Sequence, residues 1–409
     1  MSCSDAGSGT FTNPFCTIGK GATVALAGDT VLVRAGTYTG SSVHPTNSGA
    51  AGAPITFTAN AGVTINGGTS AFAITKPYVN VNGFTVSGTT GYGITVSSTN
   101  HVTISNNTVT GAGHPLSGQT AGGIKFSSTT GSTITRNTTD NNTSHGIYLA
   151  SGSSNDTVSY NEASGNAEGW RRNATGINNQ GTGNSGNTII GNIVHDNEDS
   201  GINNYTGASS TLVVNNLSYH NGDHGIDNLN TPSQRLVSNT VWGNYTAGIN
   251  VESATSGGAS ATIKNNISMN NGSAYGPCIT GPCSPRTQGD YRVDANSTGS
   301  STVNFNVAYL SSGGTEYTWG STKYTSLAAF KATGQGARDL EGNPLFVNAS
   351  SGNFHITLGS PAVDSADSSV SGEQSFDLTQ TTRVDNASTA NTGAGPFKYY
   401  DRGAYELVP

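Results

Sequence analysis

The sequence predicts an all-β protein, a parallel β-helix built as one continuous stack of short turns. Three observations carry this. A Gly-Ile pair recurs through the middle of the chain, a β-branched triplet followed by asparagine recurs between its copies, and no part of the repeat holds the 3.6-residue period of a helix.

The Gly-Ile pairs read GITV at 93–96, GIKF at 123–126, GIYL at 146–149, GINN at 176–179, GINN at 201–204, GIDN at 225–228 and GINV at 248–251. Their isoleucines, 94, 124, 147, 177, 202, 226 and 249, are 23 to 30 residues apart. Between them stand Asn107, Asn137, Asn161, Asn192, Asn216, Asn239 and Asn266, and five residues beyond the last six of these lie Asn142, Asn166, Asn197, Asn221, Asn244 and Asn271. Each turn is too short to bury its own apolar face, so stacked turns share one. Asparagine recurs because its amide can bond its copy in the next turn and because it tolerates the left-handed backbone of a tight turn.

The elements follow in order. Residues 1–50 form a cap and the first strands, with GDTVLVRAGTY at 28–38. Residues 51–272 are the helix core. Residues 273–409 hold the last turns, long loops and a segment from 354 that closes the end, with one short helix at 325–333. All belong to one continuous domain. Cys3/Cys16 and Cys278/Cys283 are close pairs in a Ser/Thr/Asn-rich chain, which reads as two local disulfides in an exported protein. Met1 before Ser2-Cys3 reads as a start that replaces a removed leader. A net charge of −7 with no basic stripe argues against a nucleic-acid partner, and no apolar run is long enough for a membrane span. A monomer is expected.

Side chains alternate along a strand, so the residue after each inward isoleucine points out. That column reads Thr95, Lys125, Tyr148, Asn178, Asn203, Asp227, Asn250. A second outward column, three residues before the isoleucine, reads Gly91, Ala121, Ser144, Ala174, Asp199, Asp223, Thr246. Asp199, Asp223 and Asp227 therefore converge within adjacent turns. Bare carboxylates at such spacing repel, and a hard cation such as Ca²⁺ would relieve this, whereas the alternative is that they are turn residues bonding backbone amides. Two longer repeats insert 111–122 and 167–175 beside the column, and the second carries Trp170, Arg171 and Arg172, an aromatic plane with guanidinium forks suited to an anionic sugar. Lys125 and Tyr148 are vertical neighbours that suit general base and acid roles, with Arg171, Arg172 or His224 as the rival proton handlers. His145, Trp170, Asn178, Asn203 and Tyr205 are the candidate sugar contacts.

The opening NPFCTIGKGATVALAGDTVLVRAGTY, followed by GAPITFTA, resembles secreted right-handed parallel β-helix proteins of the pectate-lyase-like superfamily, and most of all polysaccharide lyase family 9. In that family an aspartate in one turn and Asp-Asp-Gly-x-Asp in the next bind a catalytic calcium. Asp199 and DHGID at 223–227 match this order, with His224 at the second aspartate. The family's base is a lysine at a Gly-x-Lys position, which is Asn250 here. The resemblance implies right-handedness, a secreted lyase that cleaves an acidic, uronate-containing polysaccharide by β-elimination, and Ca²⁺ held by Asp199, Asp223 and Asp227. Two alternatives stand beside it: a glycoside hydrolase pairing Asp199 with Asp223 or Asp227, and a non-catalytic carbohydrate-binding solenoid.

Overall fold

Each turn lays one short strand on each of three faces, because the β-branched triplets are bounded by asparagine and glycine turns that redirect the backbone. The computed structural model describes residues 3–40, 42–115, 120–169, 172–272 and 286–408. Among these, the first sheet has 11 strands, from Thr30–Val33 to Thr302–Asn304. The second has 12, from Gly36–Thr39 to Leu340–Glu341, and the third 11, from Phe72–Ile74 to Thr322–Tyr324. Strands of successive turns pair in parallel; the last hairpin of the third sheet, Tyr317–Trp319 with Thr322–Tyr324, and a separate two-stranded sheet, Phe346–Asn348 with Asn353–Ile356, are antiparallel.

The repeated isoleucines face inward as expected. Ile94, Ile124, Ile147, Ile177, Ile202, Ile226 and Ile249 stack in register and are fully buried. Opposite them the first sheet contributes Phe57, Val81, Ile104, Ile134 and Val158, also in register. The glycine before each isoleucine is demanded by a close approach: a Cβ on Gly225 would lie 2.2 Å from Val241 Cγ1.

The asparagines form the expected ladders. Asn107, Asn137, Asn161, Asn192, Asn216, Asn239 and Asn266 each donate from Nδ2 to Oδ1 of the next, at 2.9–3.0 Å, as far as Asn306, which donates to Asp339 Oδ1 at 3.4 Å. A second ladder runs from Asn142 through Asn166, Asn197, Asn221, Asn244 and Asn271 to Asp290. One part of the expectation is corrected. The left-handed residue is the one before the ladder position: Asn106, Arg136, Tyr160, Asn215, Ser238 and Asn265 have φ of 50–60°. That residue turns the chain, which frees the asparagine to aim its amide inward. A third ladder was not foreseen. The last asparagine of each GINN or GIDN segment faces the core, and Asn179 bonds Asn204, which bonds Asn228, at 3.0 Å each.

The N-terminal end is plugged by a helix, Ile18–Val24, capped by Thr17 Oγ1, which accepts from the Lys20 N–H. The loop before it is tied by a Cys3–Cys16 disulfide, while Cys278 and Cys283 lie outside the described residues. The far end is covered by the expected short helix, Leu327–Lys331, whose Phe330 stacks on Tyr317 at 4.1 Å. The segment from 354 does not close that end. It runs back along the flank, where Phe376 O accepts from Asn215 Nδ2, Ala404 N donates to Thr240 Oγ1 and Arg402 donates to Asn306 O. The reason is apolar surface: in these turns Leu212, Val214, Val237, Leu217 and Ile267 face outward from the sheets and need cover.

On this flank His195 is stacked on Tyr219 at 4.7 Å and lies between Asp196 (2.6 Å) and Glu162 (3.2 Å). Burial disfavours the charged ring, but the two carboxylates outweigh it and raise its pKa to about 9. A raised folded-state value stabilises below the unfolded value of about 6.5 and is lost as pH rises through about 9. His195→Gln should therefore cost on the order of 1 kcal/mol near pH 6, discounted for exposed partners. By about pH 10 its denaturation midpoint should converge with the parent's. A pH-independent difference would contradict this.

Candidate active site

The third sheet's outward column is continuous. Lys125 pairs in register with Tyr148, Tyr148 with Asn178, Asn178 with Asn203, Asn203 with Asp227 and Asp227 with Asn250. It then continues to Arg292 and Thr318. Lys125 is four strand steps from Asp227, about 19 Å at ~4.8 Å per step. The candidate residues thus fall into two groups rather than one.

The first group gathers at the corner where the chain passes from the second sheet to the third. The column three residues before the isoleucine lines this corner and is not open to solvent: Ala121, Ala174, Asp223 and Thr246 are buried, and Asp199 is only partly exposed. The physical reason is the corner itself, whose side chains are covered by the turns that precede each strand. Asp223 Oδ1 accepts from Thr246 Oγ1 at 2.6 Å, and its Oδ2 is met by the guanidinium groups of both Arg172 and Arg286. Asp227 Oδ1 accepts from Asn250 Nδ2 at 2.7 Å. Arg292 bridges Asn250 and Glu252.

His224 is fully buried behind these groups, with Nδ1 3.5 Å from Asp223 Oδ2 and 3.7 Å from Asp227 Oδ1 and Nε2 2.9 Å from Thr287 Oγ1. Proton handling at an exposed position was expected of His224; the ring instead lies fully buried between the two aspartates, away from the outward face. The three carboxyls are driven apart electrostatically. Burial, then Asp223, raises Asp199 well above the carboxylate range. Burial also opposes ionisation of Asp223, but His224, Arg286 and Arg172 outweigh it and hold that carboxyl low. Asp227 is raised by burial, with Glu252 and Asp223 adding to it against His224.

The donor set does not fit calcium as the side chains stand. Asp223 already has two cations on one oxygen, Asp227 spends an oxygen on Asn250, and the position of the family's second aspartate is a buried imidazole. Among the described residues no three His, Cys, Asp or Glu side chains converge to hold a metal ion. The site is a carboxylate–guanidinium network, with arginines where the resemblance implied a cation.

The second group surrounds Lys125. Its Nζ lies 5.5 Å from the Tyr92 ring and 5.3 Å from the Tyr148 ring. His145 packs against Tyr148 at 5.0 Å, and burial, then Lys125, lowers its pKa to about 4, so the ring is neutral. Tyr148 is raised by burial. Tyr205 follows Asn203 on the same face and pairs in register with Gln180. Trp170 and Arg171 lie outside the described residues.

Sequence reasoning missed Arg286, Arg292, Glu252 and Tyr92. Arg292 had a signal, since Tyr291-Arg292-Val293 repeats the in-out-in pattern one turn beyond Asn250. Arg286 had none, because it arrives from a loop with no place in the repeat.

A family model described as Pel9A-like, right handed beta helix region, matches residues 1–287. Among solved structures, a rhamnogalacturonan lyase is similar over 85% of this chain and 89% of its own, at 16% identity and a TM-score of 0.54. The pectate lyase Pel9A is similar over 98% of this chain and 94% of its own, at 16% identity and a TM-score of 0.52. No curated protein matches the sequence. At such identities the likeness shows the fold.

Proposed function

The chain belongs to the Pel9A-like right-handed β-helix family, and from that premise we propose that it is a lyase cleaving an acidic, uronate-containing polysaccharide by β-elimination at the Asp199–Asp223–Asp227 corner. One observation carries the reading: Arg172 and Arg286 converge on Asp223 at the same corner as two further carboxyls whose proton affinities are raised. Arg172 is about a quarter exposed and Arg286 about half, so both have donors to spare for an anionic ligand. The similar structures named as a rhamnogalacturonan lyase and a pectate lyase add support for the class.

In this reading the guanidinium groups neutralise the uronate carboxylate, which acidifies the C5 proton. Asp227, made more basic by burial, removes that proton in its carboxylate form. The C5–H electrons form the C4–C5 double bond, the C4–O bond breaks, and Asp199, whose carboxyl burial and Asp223 push toward the protonated form, gives its proton to the leaving oxygen. Exchange with water resets both carboxyls. Arginine is the weaker choice of base, because Asp223 raises the pKa of Arg286 against the effect of burial. Lys125 and Tyr148 are too far from this corner to act in the same step.

A second reading is favoured by one specific feature. Asp199 is held high and Asp223 low, the split used by an acid and a base in glycoside hydrolysis. Product chemistry separates the two. Acidic and neutral polysaccharides are incubated with the protein while near-ultraviolet absorbance and reducing ends are followed together. Elimination gives both signals in proportion on an acidic polymer. Reducing ends without absorbance would reject the lyase in favour of the hydrolase. An extracellular polymer requires an exported enzyme, which the Cys3–Cys16 disulfide supports, and no helix among the described residues is long and apolar enough to cross a membrane.

A further inference from the structure

We infer that the column from Lys125 to Asn203 is a separate binding track for anionic sugar units, in which Lys125 and the Asn178 amide together receive a uronate carboxylate. The inference rests on the proposed acidic-polysaccharide substrate, but it concerns binding away from the reacting corner. Lys125 makes no hydrogen bond or ion pair among the described residues, and its ammonium is held over two tyrosine faces instead. A cation fixed on aromatic walls is positioned without being neutralised, so it keeps its charge for a ligand.

Asn178 is 1% exposed, yet one end of its amide has no hydrogen-bond partner. The identity of that end follows from His145. The Thr175 backbone N–H donates to His145 Nδ1 at 3.2 Å, which makes Nδ1 the acceptor and puts the proton of the neutral ring on Nε2. The amide atom of Asn178 3.0 Å from Nε2 also lies 3.1 Å from the side-chain amide of Gln180; it must accept from Nε2–H, so it is the oxygen, the Gln180 amide is turned to donate to it as well, and the unpartnered end of Asn178 is the NH₂. A buried amide donor left without an acceptor is costly, and a ligand oxygen relieves it. One step further, Asn203 is 9% exposed and its side chain forms no hydrogen bond among the described residues. Lys125, the Asn178 NH₂ and the Asn203 amide thus line one column leading, turn by turn, to Asp227. A polymer lying along the helix axis would set an anionic unit on Lys125 and Asn178 while another unit reaches the corner.

Affinity gel electrophoresis tests this without turnover. The full chain is run through gels containing polygalacturonate, alginate or neutral dextran, alongside Lys125→Met, Lys125→Arg and Asn203→Ala. The parent should be retarded by an acidic polymer and not by dextran. Lys125→Met should weaken that retardation by about tenfold in apparent Kd, and Lys125→Arg, which keeps the charge, should retain most of it. Asn203→Ala removes an amide that the fold does not use, so it should weaken retardation with an unchanged melting midpoint, which guards against misfolding as the cause. Retardation by an acidic polymer that all three variants keep would overturn the track and leave the lyase reading standing. Elimination products from a polymer that does not retard the parent would also overturn it. Neither retardation nor elimination with any acidic polymer would overturn both.

Discussion

Asp227→Asn is expected to lower kcat by roughly 10²- to 10⁴-fold with little change in KM, the loss that follows removal of a general base rather than of binding. The change is close to isosteric, and the new amide oxygen can still accept from Asn250 Nδ2. Asp227 is buried and its carboxyl is pushed toward the neutral form by burial, so a neutral amide should not destabilise the fold. The melting midpoint should equal or exceed the parent's while turnover collapses. Near-parental kcat in Asp227→Asn would remove Asp227 from the chemistry and return attention to the Lys125–Tyr148 pair.

The second large effect concerns the ladder. Asn216→Leu is expected to destabilise the protein by about 3–5 kcal/mol, read as a lower denaturant midpoint. Asn216 Oδ1 accepts from both the backbone N–H and Nδ2 of Asn192, and its own Nδ2 reaches Ile189 O, Val214 O and Asn239 Oδ1. Leucine supplies none of these. It leaves at least the Asn192 backbone N–H buried without a partner, at roughly 1–3 kcal/mol, and it breaks a chain of mutually polarised amides. A loss below about 1 kcal/mol would mean that the apolar stack alone fixes the turn.

The fold was legible because its determinants recur. A single isoleucine says little, but seven in register specify an inward column, and the asparagines specify the corners. Asn179, Asn204 and Asn228 were harder to read, since strand alternation puts them inward and composition puts them out, and only mutual hydrogen bonding reconciles the two. The site was legible where it lies on the repeat: Asp227, Asn178 and Asn203 fall on the column that alternation predicts. It was not legible where partners come from outside the repeat. Arg286 reaches Asp223 across 63 positions of sequence, and nothing in its neighbourhood marks that reach. Nor could alternation tell that His224 lies fully buried between two aspartates, because the rule fails at a corner. The calcium expectation went with the motif, and Arg172 and Arg286 now stand against the carboxylate that it relied on.

The claim on which the chemistry rests is that guanidinium groups, and not a bound cation, balance the three aspartates. Calorimetric titration of chelator-treated protein with calcium, paired with the melting midpoint before and after calcium, measures this most directly. The account predicts no saturable heat and no shift in the midpoint, with elimination activity unchanged by chelator. A saturable isotherm near one equivalent that raises the midpoint and vanishes in Asp199→Ala would contradict it.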